Sequence, residues 1–103
     1  MQVNQYETLS QAIEGLHQRG FTEDFDFKNG KLHIIKSNLI FSPEDIVIVE
    51  YHRFEGNSSS DDMAVVYAIQ TTSGEKGTIV DAYGVYSSQE LADFIDTVKV
   101  EIT

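Results

Sequence analysis

The chain has 103 residues, of which 41% are hydrophobic and 23% charged, a composition that predicts one soluble globular domain (residues 1–103) and excludes a disordered chain. Its 17 acidic and 7 basic residues give a net charge of −10, which argues against nucleic acid and anionic membranes as partners because both need clusters of Lys and Arg. Since the chain has no cysteine, no signal-peptide pattern and no apolar run of about 20 residues, we expect a cytoplasmic protein without disulfides.

The first predicted element is an amphipathic helix that begins after Thr8. Thr8 and Gln11 have the spacing of a capping box, in which each side chain bonds to the backbone N–H of the other residue. At the other end, Gly20 suits the left-handed conformation that often terminates a helix. The apolar stripe has the i, i+3, i+4, i+7 spacing of a helix. It consists of Leu9, Ala12, Ile13 and Leu16.

A β-hairpin is predicted next, centred on Asn29-Gly30. This dipeptide is typical of a type I′ turn, in which both central residues need positive φ. Pairing outward from the turn places four apolar side chains on one face, which we therefore predict to be buried. They are Phe25, Phe27, Leu32 and Ile34.

The middle of the chain predicts three further strands in a meander. A connection at residues 36–45, ending in a helical turn at Ser42-Pro43, leads into a strand at residues 46–54. A polar loop at 55–62 separates this strand from one at 63–72, and a turn at 73–76 precedes a strand at 77–86. The strand at 63–72 is apolar on both alternating sets of positions, which predicts a central strand covered on both faces.

A second helix is predicted from Ser87, where Ser87 and Glu90 form another capping box. The expected fold is α+β, a single two-layer domain in the order α-β-β-turn-β-β-β-α. It has an antiparallel sheet of about five strands, with the N-terminal and C-terminal helices on one face. The predicted core includes Leu9, Ile13, Leu16, Phe25, Phe27, Leu32, Ile34, Val66, Ala68, Ile69, Leu91, Phe94 and Ile95.

Seven segments, in chain order, carry a resemblance that spans nearly the whole chain. They are YETLS (6–10), RGFTEDF (19–25), SPED (42–45), RFEG (53–56), VVYAI (65–69), GEKG (74–77) and DAYGVY (81–86). Together they resemble a family of small uncharacterised bacterial proteins of about this length, whose members often carry the name phosphoribosylpyrophosphate synthetase.

The resemblance implies no synthetase activity and no functional residues. Synthetases of that name are much larger and have two α/β domains, in which parallel strands lead into phosphate-binding loops. This chain has neither a βαβ alternation nor a G-x-x-x-x-G-K-[ST] loop. Its Asp61-Asp62 pair precedes an apolar strand, whereas the acidic loop of the synthetases follows one.

The candidate metal ligands are His33 and His52, with Asp26, Glu50 or Asp81 supplying oxygen, since imidazole and carboxylate suit zinc or manganese. The chain has no H-x-x-x-H or H-E-x-x-H spacing. A surface pair between His33 and Asp26, which lie opposite each other in the predicted hairpin, is the favoured interpretation. We therefore expect no metal and no cofactor.

The candidate ligand site lies on the predicted meander. Tyr51, Arg53 and Glu55 are spaced two residues apart on one strand and so project from one face. With Tyr67 and Tyr83 they form a polar and aromatic patch, because arginine suits an anion and tyrosine rings suit stacking. The favoured alternative is an ion pair between Arg53 and Glu55 at the strand end, with the tyrosines shielding the sheet.

No catalytic residue is predicted. Ser58, Ser59 and Ser60 lie in a polar loop, and the G-x-S-x-G signature of a serine nucleophile is absent. Asp81 is a charge inside a strand, and we expect it to pair with Lys76 or Arg53 or to limit association between sheet edges.

Two functional hypotheses follow. The leading one is a non-enzymatic interaction module that binds an unknown protein partner or forms a homodimer through the sheet. It rests on the apolar residues that two short helices are not expected to cover, namely Ile46, Val47, Ile48, Val49 and Ile79. The alternative is a small-ligand-binding protein or enzyme that takes an anionic metabolite near Tyr51, Arg53 and Tyr83, in a pocket between sheet and helix.

Overall fold

The structure is a computed structural model that describes residues 8–54, 64–82 and 89–101. These residues form two helices, seven strands and one short 3-10 turn. In chain order they are α1 (Leu9–Gln18), β1 (Glu23–Lys28), β2 (Lys31–Ile34), β3 (Ile40–Phe41), the 3-10 turn (Pro43–Asp45), β4 (Ile46–Phe54), β5 (Ala64–Thr71), β6 (Lys76–Ala82), α2 (Gln89–Thr97) and β7 (Lys99–Val100).

The predicted start and end of the first helix are confirmed. Thr8 is the N-cap of α1, and its Oγ1 accepts a hydrogen bond from the backbone N–H of Gln11 at 3.1 Å. Gly20 has φ +106°, so it takes the left-handed conformation that ends the helix. The predicted cap of the second helix at Ser87 lies outside the described residues.

The predicted hairpin and its register are also confirmed. Phe25 lies opposite Ile34 and Phe27 opposite Leu32. Asn29 and Gly30 have φ of 53° and 75°, the positive values that a type I′ turn requires. The hairpin face predicted to be apolar is buried, apart from Phe27, which is half-buried.

The sheet differs from the predicted antiparallel sheet of about five strands. Within the described residues it has seven strands in the order β3-β2-β1-β6-β5-β4-β7, and the pairs β1/β6 and β4/β7 are parallel. β3 and β7 have only two residues each, too few for a period-two pattern to predict. The prediction that the strand at 63–72 is central is confirmed, because β5 lies between β4 and β6.

Gly77 makes the parallel pairing of β1 with β6 possible. Gly77 lies opposite Glu23, and a Cβ added to it would come within 2.2 Å of the Glu23 carbonyl oxygen. Two backbones can approach this closely only where one residue lacks a side chain.

The prediction that both helices share one face is wrong. Neighbouring residues of a strand point to opposite faces, and α1 and α2 pack on opposite faces of β5. Ala12 and Leu16 of α1 cluster with Val66 and Ala68 of β5. Leu91 and Phe94 of α2 instead cluster with Ile69. The domain therefore has a helix on each side of its central strands, and an apolar β5 is covered on both faces as its sequence requires.

The two-sided arrangement creates two core clusters. Every predicted core residue is buried or half-buried. The buried apolar residues in addition to these are Ala12, Phe21, Phe41, Ile46, Ile48, Val65, Ile79 and Val98. No helix within the described ranges is long and apolar enough to cross a membrane.

Candidate functional site

A β-bulge in β4 determines which side chains face α2. The pairing of β4 with β5 shifts between Ile48, which lies opposite Ile69, and Glu50, which lies opposite Ala68. The extra residue is Val49, and it resets the alternation of the strand. As a result, even-numbered side chains such as Ile48 face α2 before the bulge, and odd-numbered side chains face α2 after it.

Three residues of the predicted ligand site, Tyr51, Arg53 and Tyr67, lie on this face. Tyr51 is directly opposite Tyr67, and the ring centroids are 6.3 Å apart at an angle of 48°. The guanidinium carbon of Arg53 lies 5.9 Å from the centroid of the Tyr51 ring, within the range of a cation–π contact. The structure therefore brings Tyr51, Arg53 and Tyr67 together.

A concave pocket, which we call the tyrosine pocket, lies between these side chains and the C-terminal end of α2. Its volume is about 340 Å³, within the range of roughly 300–1,000 Å³ typical of small-molecule sites. The sheet wall consists of Ile48, Tyr51, Arg53 and Tyr67. The helix wall consists of Ile95 and Asp96 of α2, the following Val98, and Val100 of β7.

The remaining predicted site residues have different positions. Glu55 and Tyr83 lie outside the described residues, so the predicted Arg53–Glu55 pair stays a prediction. Val65 of β5 lies opposite Arg53 of β4 on one side and opposite Asp81 of β6 on the other. The side chains of Arg53 and Asp81 are therefore both on the α2 face. Lys76 projects from the other face, and its Nζ lies 5.5 Å from the centroid of the Phe21 ring.

The pairing of Asp81 with Lys76 is therefore wrong, because the two side chains leave β6 on opposite faces. Within the described residues, β1 pairs with β6 at Gly77 and Thr78 but not at Asp81, so the proposed role of Asp81 in limiting association between sheet edges stays a prediction.

Tyr67 supplies a protonated phenol to the pocket at neutral pH. Burial raises its pKa above the ordinary value of 10.0, and the charge of Asp81 raises it further. Its O–H therefore stays available both as a hydrogen-bond donor and as an acceptor. Tyr51, in contrast, is 40% exposed.

A second polar cluster lies on the opposite, α1 face of β4. The Arg19 guanidinium donates to both carboxylate oxygens of Glu50, at 2.7 and 2.9 Å. His52 is 1% exposed, and its Nε2 lies 2.5 Å from Glu50 Oε2. Since a carboxylate only accepts hydrogen bonds, Nε2 carries the hydrogen. The hydrogen bonds from Arg19 hold the pKa of Glu50 below its usual value, against the opposing effect of burial.

This cluster connects the C-terminal end of α1 to β4. Glu50 and His52 are among the candidate metal ligands predicted from the sequence, and Glu50 is paired with Arg19. His33 is on β2, and its neighbour Asp26 contacts Lys28 Nζ at 3.8 Å. No group of three or more His, Asp or Glu residues suited to a metal ion occurs in the described part of the chain.

A larger groove of about 500 Å³ lies at the end of the sheet. Its lining includes Ile46 from the α2 face and Val47 and Val49 from the other, so the groove follows the sheet edge instead of being enclosed between two elements. Its lysine, Lys99, contacts Glu101 at 3.0 Å. The described lining has no aromatic ring, and we therefore favour the tyrosine pocket as the functional site.

No family model, curated protein or solved structure matches this chain significantly.

Proposed function

We propose that this protein binds a small organic ligand in the tyrosine pocket. The observation that carries the proposal is the cavity itself, which is lined by two tyrosine rings, one guanidinium and aliphatic side chains of the sheet and α2. Ligand sites in proteins combine a mostly apolar concave wall with a few polar groups that orient the ligand. Tyr51 and Tyr67 provide stacking surfaces, and Arg53 provides a cation for a carboxylate or phosphate group.

The proposal favours the second of the two sequence-based hypotheses. The interaction module rested on apolar strand residues that the helices would leave uncovered. Three of them, Ile46, Ile48 and Ile79, are buried in the core under α2. Val47 and Val49 are half-buried.

A thermal-shift screen tests the proposal, with aromatic acids, amino acids, nucleotides and sugar phosphates as probes. A probe at 100 times its dissociation constant should stabilise the protein by about 2.7 kcal/mol. Tyr51→Ala should abolish the shift, because it removes one stacking surface from the pocket. Val80→Ala is the matched control, since Val80 is also 40% exposed but lies on the α1 face, opposite Val66. A shift that Tyr51→Ala leaves unchanged contradicts the proposal.

A homodimer is the second candidate function, favoured by an apolar patch at the edge strand β3. Its side chains Ile35, Leu39 and Ile40 are 60%, 45% and 59% exposed. The surrounding segment 21–42 has three acidic and three basic residues, so two copies can approach here without the repulsion expected from a net charge of −10. Exposed apolar patches beside an edge strand are typical association sites.

Light scattering across a concentration series tests the dimer. The mass should double with increasing concentration, and Ile40→Lys should keep the protein monomeric. Val100→Lys is the control, because Val100 is 49% exposed at the opposite edge of the sheet. A monomeric mass at every concentration eliminates this candidate.

A further inference from the structure

We propose that the ligand of the tyrosine pocket is a zwitterion, such as an aromatic α-amino acid, with its carboxylate at Arg53 and its ammonium group at Asp96. This inference rests on the proposed binding function and adds the chemical class of the ligand. It follows from the two charges of opposite sign in the pocket walls, the aromatic and aliphatic lining residues and the net charge of the chain.

The two charges belong to different walls of one cavity. Arg53 projects from β4, and Asp96 projects from the last turn of α2. Both charges affect the pKa of the Tyr67 phenol. The positive charge of Arg53 lowers this pKa, and the negative charge of Asp96 raises it. The pocket therefore offers a cation and an anion to the two ends of one molecule, which is the arrangement that recognises a carboxylate and an ammonium group together.

The space between the charges suits an apolar or aromatic body. Tyr51 and Tyr67 present rings on the sheet side, and Ile95 and Val98 are apolar on the helix side. Aromatic rings prefer offset or edge contacts at centroid distances of about 4.5–7 Å. The tilted pair of Tyr51 and Tyr67 can make such contacts with the ring of a ligand. A volume of about 340 Å³ lies near the lower limit for ligand sites, so the ligand is a single metabolite and not a polymer segment.

The charge of the whole molecule favours a ligand with no net charge. At a net charge of −10 the protein repels anions, and this repulsion opposes the binding of a phosphate or dicarboxylate. A zwitterion carries a carboxylate for Arg53 without this cost. Asp96 then contributes to binding instead of repelling the ligand, as it would repel a simple anion.

Three probes that share one ring separate the contributions of the two charged ends. They are L-phenylalanine, 3-phenylpropanoate, which lacks the amine, and 2-phenylethylamine, which lacks the carboxylate. The measurement is the dissociation constant from amide chemical shifts in an NMR titration of the full chain. We expect phenylalanine to bind about tenfold more tightly than either analogue, the difference typical of one charge-assisted hydrogen bond.

Two variants assign each end to its partner. Arg53→Gln should weaken phenylalanine about tenfold and leave 2-phenylethylamine unweakened, whereas Asp96→Asn should weaken phenylalanine and leave 3-phenylpropanoate unweakened. The matched controls are Lys28→Gln on the hairpin and Asp93→Asn, which lies one turn earlier on α2. Both are exposed, make the same change in net charge and lie outside the pocket lining. They should leave all three dissociation constants unchanged.

The possible outcomes distinguish this inference from the proposed function. If 3-phenylpropanoate binds as tightly as phenylalanine at the pocket, the ligand class is anionic and the zwitterion inference is wrong, while the binding function stands. If 2-phenylethylamine binds as tightly as phenylalanine, the carboxylate is irrelevant and the inference is likewise wrong. If none of the probes, including those of the thermal-shift screen, perturbs the pocket, both the inference and the binding function are wrong.

Discussion

At the scale of single residues, the Arg19–Glu50–His52 cluster shows how a charge is tolerated inside the domain. The Glu50 side chain is 16% exposed, and such a carboxylate is costly unless its charge is paired. Arg19 makes a bidentate contact with the Glu50 carboxylate, and His52 supplies a further donor on the same face of β4. The cluster also links the end of α1 to β4 across 31 residues of sequence, so it stabilises tertiary structure and not only a strand.

The first prediction concerns Glu50 and pH. Its folded pKa lies below the ordinary value of 4.5, so the unfolded chain binds the proton more tightly than the folded one. The stability that the ionised carboxylate contributes is therefore fully present above about pH 4.5 and is lost as the pH falls through the lower folded pKa. We expect Glu50→Gln to cost about 1–2 kcal/mol at neutral pH, discounted for the exposure of Arg19, and less in acid.

Urea denaturation at a series of pH values measures this difference. Glu14→Gln is the control, because Glu14 is an exposed residue of α1 and its substitution should stay within about 0.5 kcal/mol at every pH. A cost of Glu50→Gln that is the same at pH 7 and in acid contradicts the assignment of the charge to this cluster.

The second prediction concerns Gly77 and the parallel pairing of β1 with β6. An added Cβ would meet the Glu23 carbonyl oxygen at 2.2 Å, and backbone atoms cannot yield as a flexible side chain can. Gly77→Ala should therefore separate the strands and cost about 3 kcal/mol in urea denaturation. Gly74→Ala is the comparison, because Gly74 has open space around it and only its φ of +100° disfavours alanine, at about 1–2 kcal/mol. Equal costs for the two variants would contradict this explanation.

At the scale of elements, the two helices stabilise the sheet independently. α1 packs through Leu16 on one face of β5, and α2 packs through Phe94 on the other. Because the sheet separates the two core clusters, no side chain of one helix shares a packing partner with the other in these clusters. The bulge at Val49 has a second effect at this scale, since it directs Tyr51 towards α2 and Glu50 towards α1.

The third prediction tests this independence with a double-mutant cycle. Leu16→Val and Phe94→Leu should each cost about 1–2 kcal/mol, and their effects should add within about 0.5 kcal/mol. Phe27→Leu with Phe94→Leu is the matched cycle, because these rings are in edge contact with centroids 5.4 Å apart. That pair should show a coupling of about 0.5–1.5 kcal/mol. A larger coupling between Leu16 and Phe94 than between the two rings would indicate a shared core.

At the scale of the whole molecule, the net charge of −10 affects stability as well as ligand choice. The molecule measures 39 × 28 × 27 Å, so at about 10 mM salt, where the screening length is about 30 Å, most of its charges repel one another. At 150 mM salt the screening length is about 8 Å and this repulsion is largely removed. Like-charge repulsion destabilises the compact state more than the expanded one.

The fourth prediction is therefore that the melting temperature rises between 10 and 150 mM sodium chloride at pH 7, conditions chosen to span the screening lengths of about 30 and 8 Å. The double substitution Glu90→Gln and Asp93→Asn, at exposed positions of α2, should make this dependence weaker because it removes two negative charges. A melting temperature that falls with added salt would show that attractive ion pairs outweigh the net repulsion.

The features that the sequence predicted correctly are those that depend on neighbouring residues. The caps of α1, the type I′ turn at Asn29-Gly30 and the bounds of β4 follow from spacing over a few positions. The same local reasoning placed Tyr51 and Arg53 on one face, since two-residue spacing holds on either side of a bulge. The central position of β5 also followed from its composition, because a strand that is apolar on both sets of positions needs two covers.

What only the tertiary structure decided depends on residues far apart in sequence. The face that each helix covers, the parallel pairs and the Arg19–Glu50 contact join segments with no local pattern in common. The bulge at Val49 was hidden because residues 46–49 are apolar at every position, so no alternation marks the extra residue. Asp96 lines the pocket only because α2 packs beside β4. Local spacing fixes which way a side chain points from its own element, whereas long-range packing decides what that side chain meets.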